Sequence, residues 1–193
     1  MRELRETILR QGQCGGDSIV KVDMFLNHRL DTRLMFAMGR ELADYFGKDK
    51  PDIVLTVEAS GIALALAAAH FLDDIPVVFA KKSPAANQSA DMLTAVAHSF
   101  THGNDNALRV DRRYLPAGSR VLVVDDFLAD GEASRALISI VEQAGCMLVG
   151  VGIAVEKGFQ PGGRKLREAG VNLKSLAIVT SIQDGRIQLA DDD

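Results

Sequence analysis

A chain of 193 residues, 47% apolar and 25% charged, has the composition of a globular protein and the length to bury one sizeable core. Its formal charge of −4, with no Lys/Arg-rich run, lacks the basic footprint of a nucleic-acid binder. Its two cysteines, Cys14 and Cys146, have neither CxxC spacing nor a histidine pairing, which sets aside a zinc site or disulfide scaffold and points to reduced thiols in a cytoplasmic protein.

The first residues, MRELRETILRQG, are amphipathic and charged, unlike a signal peptide. Leu4, Ile8 and Leu9 fall at helical spacing, so a helix is predicted over 2–11, ended at Gly12. Ile19–Phe25 alternates in side-chain character and predicts a short strand. Asp31 is placed to cap a helix over 32–46, apolar at Leu34, Met35, Met38, Leu42 and Phe46 and stopped at Gly47.

From residue 52 the rhythm changes. IVLTV (53–57) reads as a strand, EASG as a turn with Ser60 a good N-cap, and IALALAAAHFL (62–72) as a buried helix too short to span a bilayer. PVVFA (76–80) is a second strand. Residues 81–92 are polar and without period, which predicts a mobile loop. LTAVAHSF (93–100) and ALRVDRRY (107–114) read as hairpin arms around HGNDN (102–106). A strand over 120–125 follows, then a helix over 132–144, a strand over 147–155, a short helix near 162–169 and a strand near 175–182; the final DDD reads as a frayed tail. This alternation predicts one α/β domain over 1–193, a doubly wound, mostly parallel sheet with helices on both faces.

Ligands of such sheets bind at the carboxyl ends of the strands, and four turns there have unusual content. In VLVVDDFLADGEAS (121–134) a buried strand runs into Asp125 and Asp126, and the small-residue loop Ala129–Ala133 opens a helix. Backbone N–H groups of Ala129, Asp130, Gly131, Glu132 and Ala133 at a helix N-terminus suit a phosphate, and paired carboxylates suit vicinal sugar hydroxyls or a hydrated Mg²⁺. The bland reading is an acidic strand end. The turn with Ser60 and Gly61 reads as a helix start or as an anion loop. Lys81 and Lys82, after the second strand, are solvated charges or partners for an anion. Lys157 and Phe159, in VEKGFQPGG (155–163), are a surface lysine and a core aromatic, or a donor and a stacking face for a base. His28, His70, His98 and His102 fall in no catalytic pattern.

The order of strand, Asp-Asp, small-residue loop and helix resembles the phosphoribosyl-pyrophosphate (PRPP) signature of the type I phosphoribosyltransferases. Many members carry Thr or Ser where this chain has Ala129 and Ala133, so hydroxyl contacts to the 5′-phosphate give way to main-chain ones. VKVDMFLNHRLD (20–31), VEASGIA, PVVFAKK, DDFLADGEA and VEKGFQPG, in order over about residues 18–165, are similar to the bacterial xanthine phosphoribosyltransferases, a branch with the Ala-x-Gly-x-Ala loop. The resemblance implies the type I phosphoribosyltransferase fold with a flexible hairpin loop and a small N-terminal hood, residues 1–31 forming part of it. It implies contacts to xanthine from Val20, Asn27 and Lys157, and ribose contacts from Asp125 and Asp126. It implies PRPP contacts from Ala129–Ala133, Ser60, Gly61 and Lys82. The reaction implied is PRPP + xanthine → xanthosine 5′-monophosphate + pyrophosphate. Mg²⁺ would come with PRPP and not by direct protein ligation; Asp126 and Asp130 are candidates for a general base. A cytoplasmic homodimer without nucleic-acid or membrane partners is expected. The near alternative is a phosphoribosyltransferase preferring guanine, hypoxanthine or adenine. The distant one, a PRPP-sensing DNA-binding regulator, would need a basic face that the chain lacks.

Overall fold

The structure, a computed structural model, describes residues 1–16, 18–83, 91–98 and 105–191. Helix α1 (Arg2–Gln11) is followed by the short strands β1 (Gln13–Gly15) and β2 (Ile19–Lys21), which pair antiparallel. Helix α2 (Thr32–Phe46) starts where predicted: the Asp31 side chain accepts a hydrogen bond from Leu34 N at 3.1 Å, and all five predicted apolar positions are buried. Strand β3 (Ile53–Val57), helix α3 (Gly61–His70) and strand β4 (Val77–Ala80) form the first βαβ unit. A hairpin of β5 (Met92–His98) and β6 (Asp105–Asp111) precedes β7 (Arg120–Leu128), α4 (Glu132–Gln143), β8 (Met147–Lys157), α5 (Gly162–Glu168), β9 (Leu173–Gln183) and β10 (Arg186–Leu189).

The main sheet has the order β10-β9-β8-β7-β3-β4, parallel except for β10. Side chains alternate across it. Val54, Leu122 and Val124 face α1, α2 and α3, whereas Ile53, Leu55, Val121 and Val123 face α4, α5 and the hairpin. Both faces are therefore covered, and the central strands read as continuous apolar runs for that reason. From β3 the chain winds outward to β4, then returns to β7 on the other side and winds away through β8 and β9. The direction of winding reverses between β3 and β7, the place where such sheets hold ligands.

Four features differ from expectation. The strand predicted over 19–25 stops at Lys21, and Asp23–Asn27 form a π-helical turn. Phe25 and Leu26 are neighbours in sequence and both are fully buried, which an alternating strand does not allow. Strand β7 runs to Leu128, so Asp125 and Asp126 lie inside it, with Phe127 and Leu128 still paired to Val155 and Glu156 of β8. Ser60, expected to cap α3, makes no capping hydrogen bond and has α-helical backbone angles itself, φ −67 and ψ −33. Strands β1 and β10 were not predicted; β10 turns back through Asp184 and Gly185, both at positive φ. Residues 84–90 of the loop predicted over 81–92, residues 102–104 of the turn predicted over 102–106 and residues 192–193 of the tail lie outside the described residues; Met92 belongs to β5, and Asp105 and Asn106 to β6.

Helices α2 and α3 touch through backbone. A Cβ on Gly39 would lie 2.5 Å from the carbonyl carbon of Ala67. Gly39→Val should therefore destabilise the fold by about 2 kcal/mol despite valine's better helix propensity, because the helices must separate. Urea denaturation checks this; an unchanged midpoint would mean that the helices tolerate the spread.

Candidate functional site

A cleft of about 300 Å³ opens at the reversal point. Its floor is β7. Asp125 is 5% exposed and Asp126 7%, and each has a defined partner: Asp125 Oδ1 accepts from Asp126 N at 3.0 Å, and Asp126 Oδ2 accepts from the Asn27 amide at 3.3 Å. Burial, then the neighbouring charge of Asp126, raises the pKa of Asp125 well above its ordinary value, with Lys82 acting weakly in the opposite sense. Space beside Asp125 exists because residue 61 is glycine. A Cβ there would overlap the Thr56 hydroxyl and come within 2.8 Å of Asp125 Oδ1. Thr56 is fully buried and its hydroxyl has no hydrogen-bond partner among the described residues.

One wall is the loop from Ala129 to Gly131. Gly131 has φ +84, a turn that glycine alone adopts without strain, and α4 begins at the next residue, so the first turn of the helix, whose N–H groups have no intrahelical acceptor, lines the cleft. The opposite wall brings Glu58, Ser60 and Lys82. The Lys82 backbone is held at both ends: its N–H donates to Glu58 Oε1 at 2.6 Å, and its carbonyl accepts from the Arg109 guanidinium at 3.2 Å. The hairpin adds Ala97 and Leu108 to the lining.

Of the residues assigned to the base, Lys157 ends β8. Lys157 Nζ donates to the carbonyl of Ser18, 3.3 Å away, and lies 5.8 Å from the ring centroid of Phe127. Burial lowers its pKa, offset in part by Asp130. Val20, two residues beyond Ser18, is buried in the β1–β2 hairpin. Thus Asp125, Asp126, Ala129–Ala133, Ser60 and Lys82 all line one cleft, and Gly61 abuts it. Asn27, Val20 and Lys157 do not line it; Asn27 reaches it through Asp126, and Lys157 through Phe127. Sequence reasoning missed Phe127 in the lining, the hydrogen bond to Lys82 N that Glu58 of the EASG turn accepts, and Arg109, which holds the Lys82 carbonyl from outside the lining. Phe127 carried a signal, an aromatic directly after the Asp pair; the roles of the other two depend on contacts across the fold.

The cleft lining includes Glu58, Asp125, Asp126, Asp130 and Glu132 against the single cation Lys82 among the described lining residues. A bare polyphosphate would meet net repulsion there, whereas one carrying a divalent cation would meet hard oxygen donors suited to Mg²⁺ and its hydration shell. Among the described residues no three His, Cys, Asp or Glu are grouped to hold a metal by themselves.

A doubly wound sheet with carboxylates and a glycine loop at its reversal point belongs to the class of α/β proteins that hold phosphorylated ligands. Within that class the chain belongs to the phosphoribosyltransferase family: the phosphoribosyl transferase domain matches residues 26–184. Xanthine phosphoribosyltransferase 1 of Clostridium perfringens is 45% identical over 187 residues, covering 97% of this chain and 98% of that one. The xanthine phosphoribosyltransferase of Bifidobacterium animalis subsp. lactis is 48% identical over 182 residues, covering 94% of each. Among solved structures, adenine phosphoribosyltransferase from Thermoanaerobacter pseudethanolicus matches with TM-score 0.66 at 26% identity, over 77% of this chain and 81% of that one. The enzyme of the same name from Rhodothermus marinus matches with TM-score 0.74 at 22% identity, over 93% and 100%, a likeness of fold.

Because Asp125 holds its proton more tightly folded than unfolded, the folded state loses stability as pH rises from the ordinary value of 3.8 toward the raised one. Asp125→Asn removes that loss. Its denaturation midpoint should exceed that of the parent at pH 7, with the gap closing toward pH 4. A lower midpoint at pH 7 would contradict the burial cost.

Proposed function

We propose that the protein is a purine salvage enzyme that transfers the 5-phosphoribosyl group of PRPP to xanthine, giving xanthosine 5′-monophosphate and pyrophosphate. The observation that carries the reading is the near full-length identity of 44–48% to curated xanthine phosphoribosyltransferases of several bacteria. The geometry supports it, because the residues that the resemblance assigns to PRPP, Gly61 apart, line one cleft, and Asn27 and Lys157, assigned to the base, approach it through Asp126 and Phe127.

On this reading the loop Ala129–Ala133 holds the 5′-phosphate through backbone N–H groups at the α4 terminus. Asp125 and Asp126 accept hydrogen bonds from the ribose hydroxyls, and Ser60, Gly61 and Lys82 lie along the pyrophosphate. A xanthine ring nitrogen forms a bond to C1′ while the bond from C1′ to the pyrophosphate oxygen breaks, through a transition state with oxocarbenium character. Mg²⁺, brought by PRPP, would neutralise the departing charge and be met by the cleft carboxylates through its waters. The ring proton departs to water or to Asp126 or Asp130. Asn27 and the backbone at Val20 contact the base from the N-terminal hood, residues 1–31, and Lys157 donates to an exocyclic oxygen from the other side. A desolvated donor there penalises adenine, whose amino group would leave it unpaired. The same reading makes the protein a cytoplasmic homodimer; the exposed apolar side chains Phe36 and Leu66 offer a second copy a surface.

Competition among four purines with Mg²⁺-PRPP tests the assignment. Xanthosine monophosphate should dominate; guanosine or inosine monophosphate in its place would move the protein to the guanine or hypoxanthine branch, and adenosine monophosphate would exclude xanthine specificity. Lys157→Ala should raise the xanthine KM by roughly 10- to 100-fold, the worth of a hydrogen bond from a charged group, and leave the PRPP KM within about twofold. Unaltered xanthine kinetics would remove Lys157 from base recognition.

A further inference from the structure

Residues 156–163 connect Lys157, which reaches the cleft through Phe127, to the loop Ala129–Gly131, and the segment is fixed at both ends. At the first, Glu156 is 3% exposed; it accepts two hydrogen bonds from the Arg167 guanidinium, each 2.7 Å, and one from the Ser175 hydroxyl. Gly163 is pressed against this carboxylate, so that a Cβ on it would overlap Glu156 Oε1. At the second, Gly162 N donates to the carbonyl of Ala129 at 3.0 Å. A Cβ on Gly162 would overlap that oxygen and lie 2.6 Å from Gly131 N and 2.8 Å from the carbonyl carbon of Asp130. The contact is mutual, since a Cβ on Gly131 would come 3.1 Å from Gly162 Cα. Two glycine backbones therefore lie flat on each other, one in the phosphate loop and one in the segment that begins at the base-side lysine. Gly162 itself does not line the cleft.

We propose that Gly162 is a positioning residue for the phosphate loop. Its N–H and its missing side chain set the shape of Ala129–Gly131 from the segment carrying Lys157, so the two substrate subsites share one mechanical element. Adjacent Gly163 serves the other end, seating the Glu156–Arg167 pair from which Lys157 projects. The proposal rests on the phosphate-loop and Lys157 roles given above.

Two adjacent substitutions separate the ends. Gly162→Ala should weaken Mg²⁺-PRPP binding, measured calorimetrically on the full chain, by tenfold or more. Gly163→Ala should raise the xanthine KM while leaving PRPP affinity within about twofold of the parent, a split that general damage to the fold does not produce. Equal loss of both substrates in both variants, or parental PRPP affinity in Gly162→Ala, overturns the positioning role. Hydrogen exchange on the unaltered protein gives a reading independent of variant folding. Ribose 5-phosphate should slow exchange at 130–133 and also at 157–162, which it does not touch. Protection confined to 130–133 overturns the coupling, and no protection at 130–133 overturns the phosphate-loop reading with it.

Discussion

A strand that carries two adjacent carboxylates past its pairing with β3, while still paired to β8, must satisfy their oxygens where little water reaches. Moving a carboxylate out of water costs several kcal/mol even in a relaxed protein, and two side by side also repel. Strand β7 meets this cost with local donors, the backbone N–H of Asp126 and the amide of Asn27, and by favouring the protonated form of Asp125. Much of the surroundings follows from it. Gly61 leaves the space that a side chain would take from Asp125. The π-helical turn of Asp23–Asn27 buries Phe25 and Leu26 and, in doing so, delivers Asn27 to Asp126. An apolar core on both faces of the sheet offsets the electrostatic cost in the middle.

A second buried charge, Glu156, is handled differently. It stays paired, with a fork of two hydrogen bonds from Arg167, the geometry in which a buried carboxylate is held with greatest directional control. Removing Arg167 would leave the Glu156 carboxylate uncompensated in the interior, a loss of about 3–5 kcal/mol, whereas the partly exposed Arg167 guanidinium would turn to solvent if Glu156 were removed. Such a pair contributes little net stability but fixes orientation, and what it orients is the residue that follows it, Lys157. The buried acids at these neighbouring strands thus do separate work: Asp125 and Asp126 line the cleft, and Glu156 is held by Arg167 to aim a neighbour.

The helices and the central strands were legible because their signals are local. Asp31 before a stripe of apolar residues defines α2 without reference to the rest of the chain, and the apolar runs of β3 and β7 define central strands. The glycine loop before α4 was legible in the same way. Where the reading failed, the deciding contact was distant or the local rule was displaced. Ile19–Phe25 alternates on paper, yet the core takes both Phe25 and Leu26. Ser60 has a capping side chain but sits in a helical conformation, so its hydroxyl is left at the cleft. Asp184-Gly185 was a hairpin signal that the alternating βα pattern obscured. Nothing in the sequence around Arg109 or Arg167 shows that one will hold the backbone of Lys82 and the other the side chain of Glu156; those pairings exist only once the strands are side by side.

The predominance of acid over base in the cleft has meaning for what competes there. On the proposed function, the carboxylates of the lining would turn away bare polyanions in a mixture of phosphorylated metabolites and favour a ligand whose phosphates arrive already neutralised. Occupancy would then follow the metal-bound share of the diphosphate pool, not the pool's total, and a protein with this lining would work as a filter on the charge state of its ligand before any contact reads the ligand's shape.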